Sequence, residues 1–263
     1  MYIAARCSYF ELPIYRNVST KLRIPLIGFI GYLLIFFVIA PLSIQYFGNS
    51  FMSLMAASPA LLLTVLQLFA LCWVIAYLVF YSFLQKKEVL AAVWIHPDKR
   101  TATHALKDVG LGFATLLLVF PVVVGLSQIV ETIVFILSGY SPLDQLAIRF
   151  LKMTKESPYL LALALFSILI AAPIIEEFVF RGILYTYLRN KLKRKKALLL
   201  SSLIFAAFHF SLDQGLSNIS LLVSLFILAY FLAFLYERQR SLIAPIALHM
   251  TFNSISVIRI LLN

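Results

Sequence analysis

The segment Pro158–Leu188 reads PYLLALALFSILIAAPIIEEFVFRGILYTYL, an almost wholly apolar run that carries Glu176, Glu177 and Arg181 in its second half. It exceeds the roughly 20 apolar residues that a helix needs to cross a bilayer. Because Pro173 removes a helical hydrogen bond, the run predicts either a kinked helix or two pieces. An ionisable group at the centre of a span costs about 2.5–3.5 kcal/mol, and an i,i+4 ion pair between Glu177 and Arg181 offsets little of that. The charged face must therefore meet a hydrated cavity or polar groups of other helices.

The rest of the chain also has the composition of a membrane protein. Of its 263 residues, 62% are hydrophobic and 13% are charged, against about 45–50% and about 25% in soluble domains. Mean hydropathy is +0.97. The predicted fold is all-α, a polytopic transmembrane bundle of about seven or eight helices. The predicted spans are Ile24–Phe47, Pro59–Leu84, Val109–Ser138, Pro158–Leu188, Ala197–Leu212, Ile219–Tyr236 and Leu242–Leu261.

Lysine and arginine are distributed unevenly between the two sides of this bundle. If the spans alternate, 17 of these residues lie in the N-terminal segment and in the second, fourth and sixth connections, against three on the opposite side. The opposite connections Gly48–Ser58 and Ser211–Asn218 carry none. Positive charge collects on the cytoplasmic side. We therefore expect a multi-pass protein of the cell (plasma) membrane with a cytoplasmic N-terminus.

The polar motifs divide the chain into two parts. Residues 1–157 hold the first three spans and the segment Gly139–Ser157, whose apolar residues at helical spacing predict an amphipathic interfacial helix. Residues 158–263 hold the polar motifs, while Glu131, a lone carboxyl in the third span, is interpreted as structural. The net charge of +11 would suggest a nucleic-acid partner in a soluble protein. Since the basic residues lie between apolar runs, we expect the lipid bilayer as the partner, and no nucleic acid.

Two further spans carry polar side chains that could meet the glutamates. Phe205 and His209 are one turn apart in FAAFH, and His249 and Asn253 are one turn apart in HMTFN. At about 1.5 Å per residue from the basic helix ends, Glu176, His209 and Asn253 lie roughly 20 Å deep and His249 about 14 Å deep. Three separate helices thus bring polar groups to a similar level, which predicts one shared pocket.

Two carboxylates, two imidazoles and a carboxamide in a poorly hydrated pocket suit hydrolysis. Glu176 would act as the general base that deprotonates a water, assisted by His209, for attack on a peptide carbonyl. His249 and Asn253 offer hydrogen-bond donors where negative charge develops on the carbonyl oxygen. The sequence contains no H-E-x-x-H zinc motif, no paired intramembrane aspartates and no glycine-flanked serine that resembles a nucleophile elbow.

Two other functions stay open on the residues alone. A transporter or ion pathway could use Glu176, Glu177 and Arg181 as a relay, although this gives no reason for the pair His249 and Asn253. A non-catalytic immunity or scaffold protein would keep its phenotype after substitution of Glu176. Transport assays and that substitution would separate the three functions.

Three motifs together resemble the signatures of the CPBP family of intramembrane proteases, which includes the CAAX prenyl proteases and the bacteriocin-processing Abi proteins. The resemblance implies an all-helical fold with a conical, cytoplasm-facing cavity and endopeptidase activity on membrane-embedded or lipidated polypeptides, prenylated CAAX-type substrates among them. It also implies that Glu176 and His209 activate the water, while His249 and Asn253 stabilise the oxyanion. The motifs are Glu176-Glu177-x-x-x-Arg181, Phe205-x-x-x-His209 and His249-x-x-x-Asn253, within Pro158–Asn263.

The family has been described both as metalloproteases and as glutamic proteases. If zinc is used, Glu176, His209 and His249 are the candidate ligands. No thiolate accompanies them, and their spacing matches no compact zinc motif. We therefore favour metal-independent chemistry without a cofactor, with zinc as the alternative.

Overall fold

The computed structural model describes residues 22–46, 58–96, 101–140 and 143–262. The predicted all-α bundle is confirmed for this part of the chain, which contains nine helices and no named strand; six of the helices are long and apolar enough to cross a membrane. The predicted N-terminal cytoplasmic segment and most of the connection Gly48–Ser58 lie outside the described residues. The helices are α1 Pro25–Tyr46, α2 Pro59–Phe83, α3 Lys87–Trp94, α4 Ala102–Ser138, α5 Leu146–Thr154, α6 Pro158–Lys191, α7 Arg194–Phe208, α8 Ser217–Gln239 and α9 Ile243–Leu262.

Capping residues determine where α4 begins and ends. The Thr101 side chain accepts a hydrogen bond from the His104 N–H at 3.3 Å, as an N-cap does. At the other end, Gly139 adopts the left-handed conformation with φ 66°, which glycine tolerates best. The helix therefore begins seven residues before the predicted span Val109–Ser138, because the cap lies beyond the apolar part of the helix.

Helix α6 is continuous, so the prediction of two pieces is wrong. Two π-helical segments, Ser167–Ala171 and Glu177–Tyr185, flank the short α-helical turn that contains Pro173. In a π-helix each N–H bonds to the carbonyl five residues earlier, and such segments are rare and often lie at functional sites. The wider turns change the helical register on both sides of the proline, and the helix continues through it.

Helix α7 is shorter than the predicted span Ala197–Leu212. It ends at Phe208, and His209 is its C-cap residue. The following loop is held by Asn218, whose side chain accepts from the Ser211 N–H at 3.1 Å and donates to the Ser211 carbonyl at 2.7 Å. These two bonds satisfy backbone groups that would otherwise bond within a longer helix. Helix α7 therefore ends at Phe208, and His209 lies at its C-terminal end.

The described parts of the basic connections gather at one end of the bundle. The backbone N–H of Arg23 bonds to the Gln85 side chain at 2.8 Å, and Ile95 and Ser241 form an isolated bridge. The buried Glu237 carboxylate accepts from Arg194 at 2.8 Å and from Arg189 at 2.9 Å.

Two of the connections predicted on the other side, Gly139–Ser157 and Ser211–Asn218, meet at the opposite end. The Tyr140 hydroxyl donates to the Gln214 carbonyl at 3.3 Å, and the Leu143 N–H donates to Ser217 at 2.8 Å. The predicted amphipathic segment is helical as α5, and its Phe150 and Leu151 are buried. Which of the two ends of the bundle faces the cytoplasm stays a prediction.

Side-chain burial separates a protein core from a lipid-facing surface. Phe180 and Phe205 are 1% exposed at the centre of the largest apolar cluster, which α1, α2, α6, α7 and α8 build. On α4, in contrast, Leu117 and Ile136 are 76% and 73% exposed. Large apolar side chains on the outside of a bundle suit contact with lipid.

Candidate active site

Glu176 lies between the two imidazoles that the sequence predicted as its partners. His209 Nε2 and His249 Nε2 each lie 3.9 Å from the same carboxylate oxygen, Oε2 of Glu176. The three residues belong to α6, to the end of α7 and to α9. The predicted meeting of three helices is therefore present, with the Glu176 side chain 15% exposed and the His209 side chain 27% exposed.

The second nitrogen of each imidazole is held by the protein. His209 Nδ1 lies 2.9 Å from the Phe205 carbonyl oxygen, and His249 Nδ1 lies 2.9 Å from Glu177 Oε1. Carbonyl and carboxylate oxygens only accept hydrogen bonds, so Nδ1 is the donor in both rings. The Nε2 atoms then face Glu176, and in a neutral ring they carry the lone pair.

A buried network keeps Glu177 and His249 in position. Arg181 Nη1 donates to Glu177 Oε1 at 2.9 Å, and the two side chains are 2% and 0% exposed. This is the ion pair that the i,i+4 spacing predicted. Arg181 Nη2 donates to the Ala229 carbonyl on α8 at 3.2 Å. Glu177 Oε2 is buried and makes no hydrogen bond with any residue of the described ranges.

The Phe205 ring forms the apolar wall of this network. The Arg181 guanidinium lies 4.4 Å from its centroid, a cation–π geometry. The same ring lies 4.8 Å from the His209 ring and 6.1 Å from the His249 ring. Phe205 thus packs against the Arg181 guanidinium and against both imidazole rings.

Asn253 contacts a different group from the one the sequence suggested. Its side chain donates to the Ile168 carbonyl at 3.0 Å, and none of its hydrogen bonds within the described chain reaches Glu176 or the histidines. The Ala172 N–H bonds to the Ser167 carbonyl, so the next carbonyl in that register, Ile168, would take its bond from residue 173. That residue is a proline without an N–H. Asn253 replaces the missing donor.

One comparison with known proteins matches the part of the chain that carries these residues. Residues 158–255 match the family model described as Rce1-like, Type II CAAX prenyl endopeptidase. The predicted family resemblance is thereby confirmed. No curated protein and no solved structure matches the chain significantly. At family level the match supports a CAAX-type intramembrane endopeptidase with a membrane-associated substrate, and the six predicted site residues all lie inside the matched segment.

The possible zinc ligands of this site lie slightly farther apart in this structure than the ligands of a bound zinc ion do. Tetrahedral ligands with zinc bonds of about 2.0–2.2 Å lie about 3.3–3.5 Å apart, whereas both Nε2 atoms lie 3.9 Å from Glu176 Oε2. Within the residues that the structure describes, no group of three or more His, Cys, Asp and Glu side chains could hold a metal ion.

Two neighbours of the site residues were not found from the sequence. One is the Ile168 carbonyl, which becomes a partner only because of the π-helical register. The other is Tyr32 on α1, whose ring stacks on Phe208, the residue before His209; its only signal in the sequence was a hydroxyl within an apolar run, and tyrosine is common in such runs.

Proposed function

We propose that the chain is an intramembrane endopeptidase in which Glu176, with His209 and His249, activates a water molecule for attack on a peptide carbonyl. The single observation that carries this proposal is the approach of two imidazole Nε2 atoms to one carboxylate oxygen, each at 3.9 Å. That separation is too long for a direct hydrogen bond. Polar groups so spaced are commonly bridged by one water, and such a water would touch a base and two further nitrogen atoms.

The chemistry follows the usual order for water attack on an amide. Glu176 takes a proton from the water while the water oxygen bonds to the carbonyl carbon, and the carbonyl π electrons move to its oxygen. When this intermediate collapses, the C–N bond breaks and its electron pair stays on nitrogen. The nitrogen then takes the proton from Glu176, which leaves an amine and a carboxylic acid. His209 orients the water through Nε2.

The remaining residues of the site would stabilise the oxyanion. Glu177 holds His249 through Nδ1, so that its Nε2 is directed to the site, where it donates a hydrogen bond to the negative oxygen. Arg181 neutralises Glu177 inside the bundle and so keeps this arrangement available. Asn253 has a second amide N–H besides the one bonded to Ile168, and we propose it as the further donor.

We further propose that the reaction needs no metal and no cofactor, and that the end carrying the basic connections faces the cytoplasm of the cell membrane. The bias of lysine and arginine supports this orientation. The family match supports a substrate with a prenylated C-terminal CAAX motif. Such a lipid would hold the peptide in the bilayer, next to a site that lies below the membrane surface.

The test is a cleavage assay on the purified full chain in liposomes. One substrate is a fluorogenic farnesylated peptide with a CAAX terminus, and the other is the same peptide without the lipid. Wild type should cleave the farnesylated peptide, with and without 1,10-phenanthroline, and Glu176→Gln should lose at least about 10²-fold in rate. Glu131→Gln is the matched control, since Glu131 is an intramembrane carboxyl on α4 beside Ser127, outside the site.

Several results would contradict the proposal. Equal cleavage by wild type and Glu176→Gln would remove Glu176 from the base role. Loss of activity with the chelator, restored by zinc, would replace metal-free chemistry with a metalloprotease. Substrate-dependent flux without cleavage would favour a transporter, and an intact cellular phenotype with Glu176→Gln would favour a scaffold.

A further inference from the structure

Tyr32 is a buried polar residue that comes from outside the segment matched to the CAAX endopeptidases. It lies on α1, more than a hundred residues before that segment begins. Its side chain is 2% exposed within the largest apolar cluster. Tyrosine in such a place normally finds a hydrogen-bond partner, because an unsatisfied buried hydroxyl is unfavourable.

The Tyr32 ring connects the two elements that carry the proposed base and its partner. It stacks on Phe208, with ring centroids 5.6 Å apart, and Phe208 directly precedes His209. The rings of Tyr32 and Phe180 also pack edge to face, with their centroids 6.3 Å apart. Phe180 lies one turn after Glu176 on α6. The ring is therefore oriented by neighbours of both catalytic side chains.

The hydroxyl of Tyr32 is available to donate a hydrogen bond to a group of the site. It makes no hydrogen bond with any residue that the structure describes. Glu176 lies one turn before Phe180 on α6, and Phe180 is the ring that Tyr32 contacts. A phenol is a hydrogen-bond donor and a carboxylate is an acceptor, so the two groups are complementary.

Close helix packing keeps α1 at the depth where Tyr32 can act. A side chain at Gly28 would collide with the Tyr81 ring, whose nearest atom lies 2.5 Å from the ideal Cβ position. The Tyr77 hydroxyl on α2 donates to the Ile27 carbonyl at 2.6 Å. Small residues permit this approach of helices in membranes, and the bond fixes the axial position of α1.

We propose that Tyr32 is a positioning residue of the endopeptidase site, whose hydroxyl donates to the Glu176 carboxylate, directly or through the bridging water, and holds it in line for proton transfer. This inference rests on the proposed function for its consequence in catalysis. It also makes the N-terminal half a contributor to the site, which the motifs of residues 158–263 do not indicate.

Tyr32→Phe tests the inference because it removes the hydroxyl and keeps the ring stacked on Phe208. With the farnesylated CAAX peptide, kcat should fall about 100-fold, as expected for a misoriented reacting group, while KM stays within about twofold. The matched control is Tyr81→Phe, which removes another buried hydroxyl, one that bonds to the Arg23 carbonyl at 3.3 Å. This variant should keep the wild-type kcat.

A spectroscopic readout tests the same contact without catalysis. The infrared difference between wild type and Glu176→Gln isolates the Glu176 carboxyl band, and the same difference is then recorded in the Tyr32→Phe background. We expect the band to shift on loss of the hydroxyl. An unshifted band, or a Tyr32→Phe variant with wild-type kcat, overturns the role of Tyr32. A shifted band in a protein that cleaves nothing upholds the contact and overturns the proposed function instead.

Discussion

Substitution of Asn253 by alanine tests the unusual partnership between an asparagine and a proline-disrupted helix. The amide of Asn253 donates at 3.0 Å to the Ile168 carbonyl, which Pro173 leaves without its backbone donor. An unsatisfied buried polar group costs about 1–3 kcal/mol. For a chain of this size each kcal/mol lowers the melting temperature by about 2–4 °C, so Asn253→Ala should lower it by about 2–12 °C.

The same reasoning predicts a rescue. In the background Pro173→Ala, residue 173 regains an N–H that can bond to the Ile168 carbonyl. Asn253→Ala should then cost less than about 0.5 kcal/mol, so that the two substitutions show a coupling free energy of about 1–3 kcal/mol. Because the second amide N–H is proposed to act on the oxyanion, kcat should stay about 10²–10³-fold low even where stability is regained.

The assay combines thermal unfolding in detergent with cleavage of the farnesylated peptide for all four members of the cycle. Ser254→Ala is the control, since Ser254 donates to the Met250 carbonyl of its own helix at 2.7 Å and contacts no proline-freed group. An equal loss of stability with and without Pro173 would refute the helix-satisfying role. Recovery of kcat together with stability would refute the oxyanion role of Asn253.

Two further predictions concern helix packing around the site. Arg181→Met should destabilise the folded protein by about 3–5 kcal/mol, because it leaves the buried Glu177 charge without compensation. Adding Glu177→Gln should restore most of the melting temperature. A double variant that is no more stable than Arg181→Met would contradict this. Gly112→Ala should destabilise by about 1–3 kcal/mol and lower kcat, because its Cβ would lie 2.7 Å from the Ala244 carbonyl of α9, which carries the second histidine. Gly110→Ala, with nothing within 4 Å, is the matched control and should be neutral or stabilising in the same unfolding assay.

Local properties of the chain were sufficient for most of the architecture and for the choice of site residues. The apolar runs exceed the thickness of a bilayer, so the spans can be located from composition and length alone. The pairing of Glu177 with Arg181 follows from their spacing on one helix. That His209 and His249 would approach Glu176 followed from the high free energy of isolated polar groups in lipid, which forces such groups to find one another.

Which atoms meet depended on the packing of helices that are distant in the chain. The change from α to π register around Pro173, the end of α7 at Phe208 and the use of Asn253 by the Ile168 carbonyl each involve only a few residues or a single hydrogen bond. Hydropathy has no such resolution. Tyr32 stacks on Phe208 of α7 while Gly28 of the same helix packs closely on α2. Contacts between separate helices are set by side-chain shape on both partners rather than by any periodicity within one.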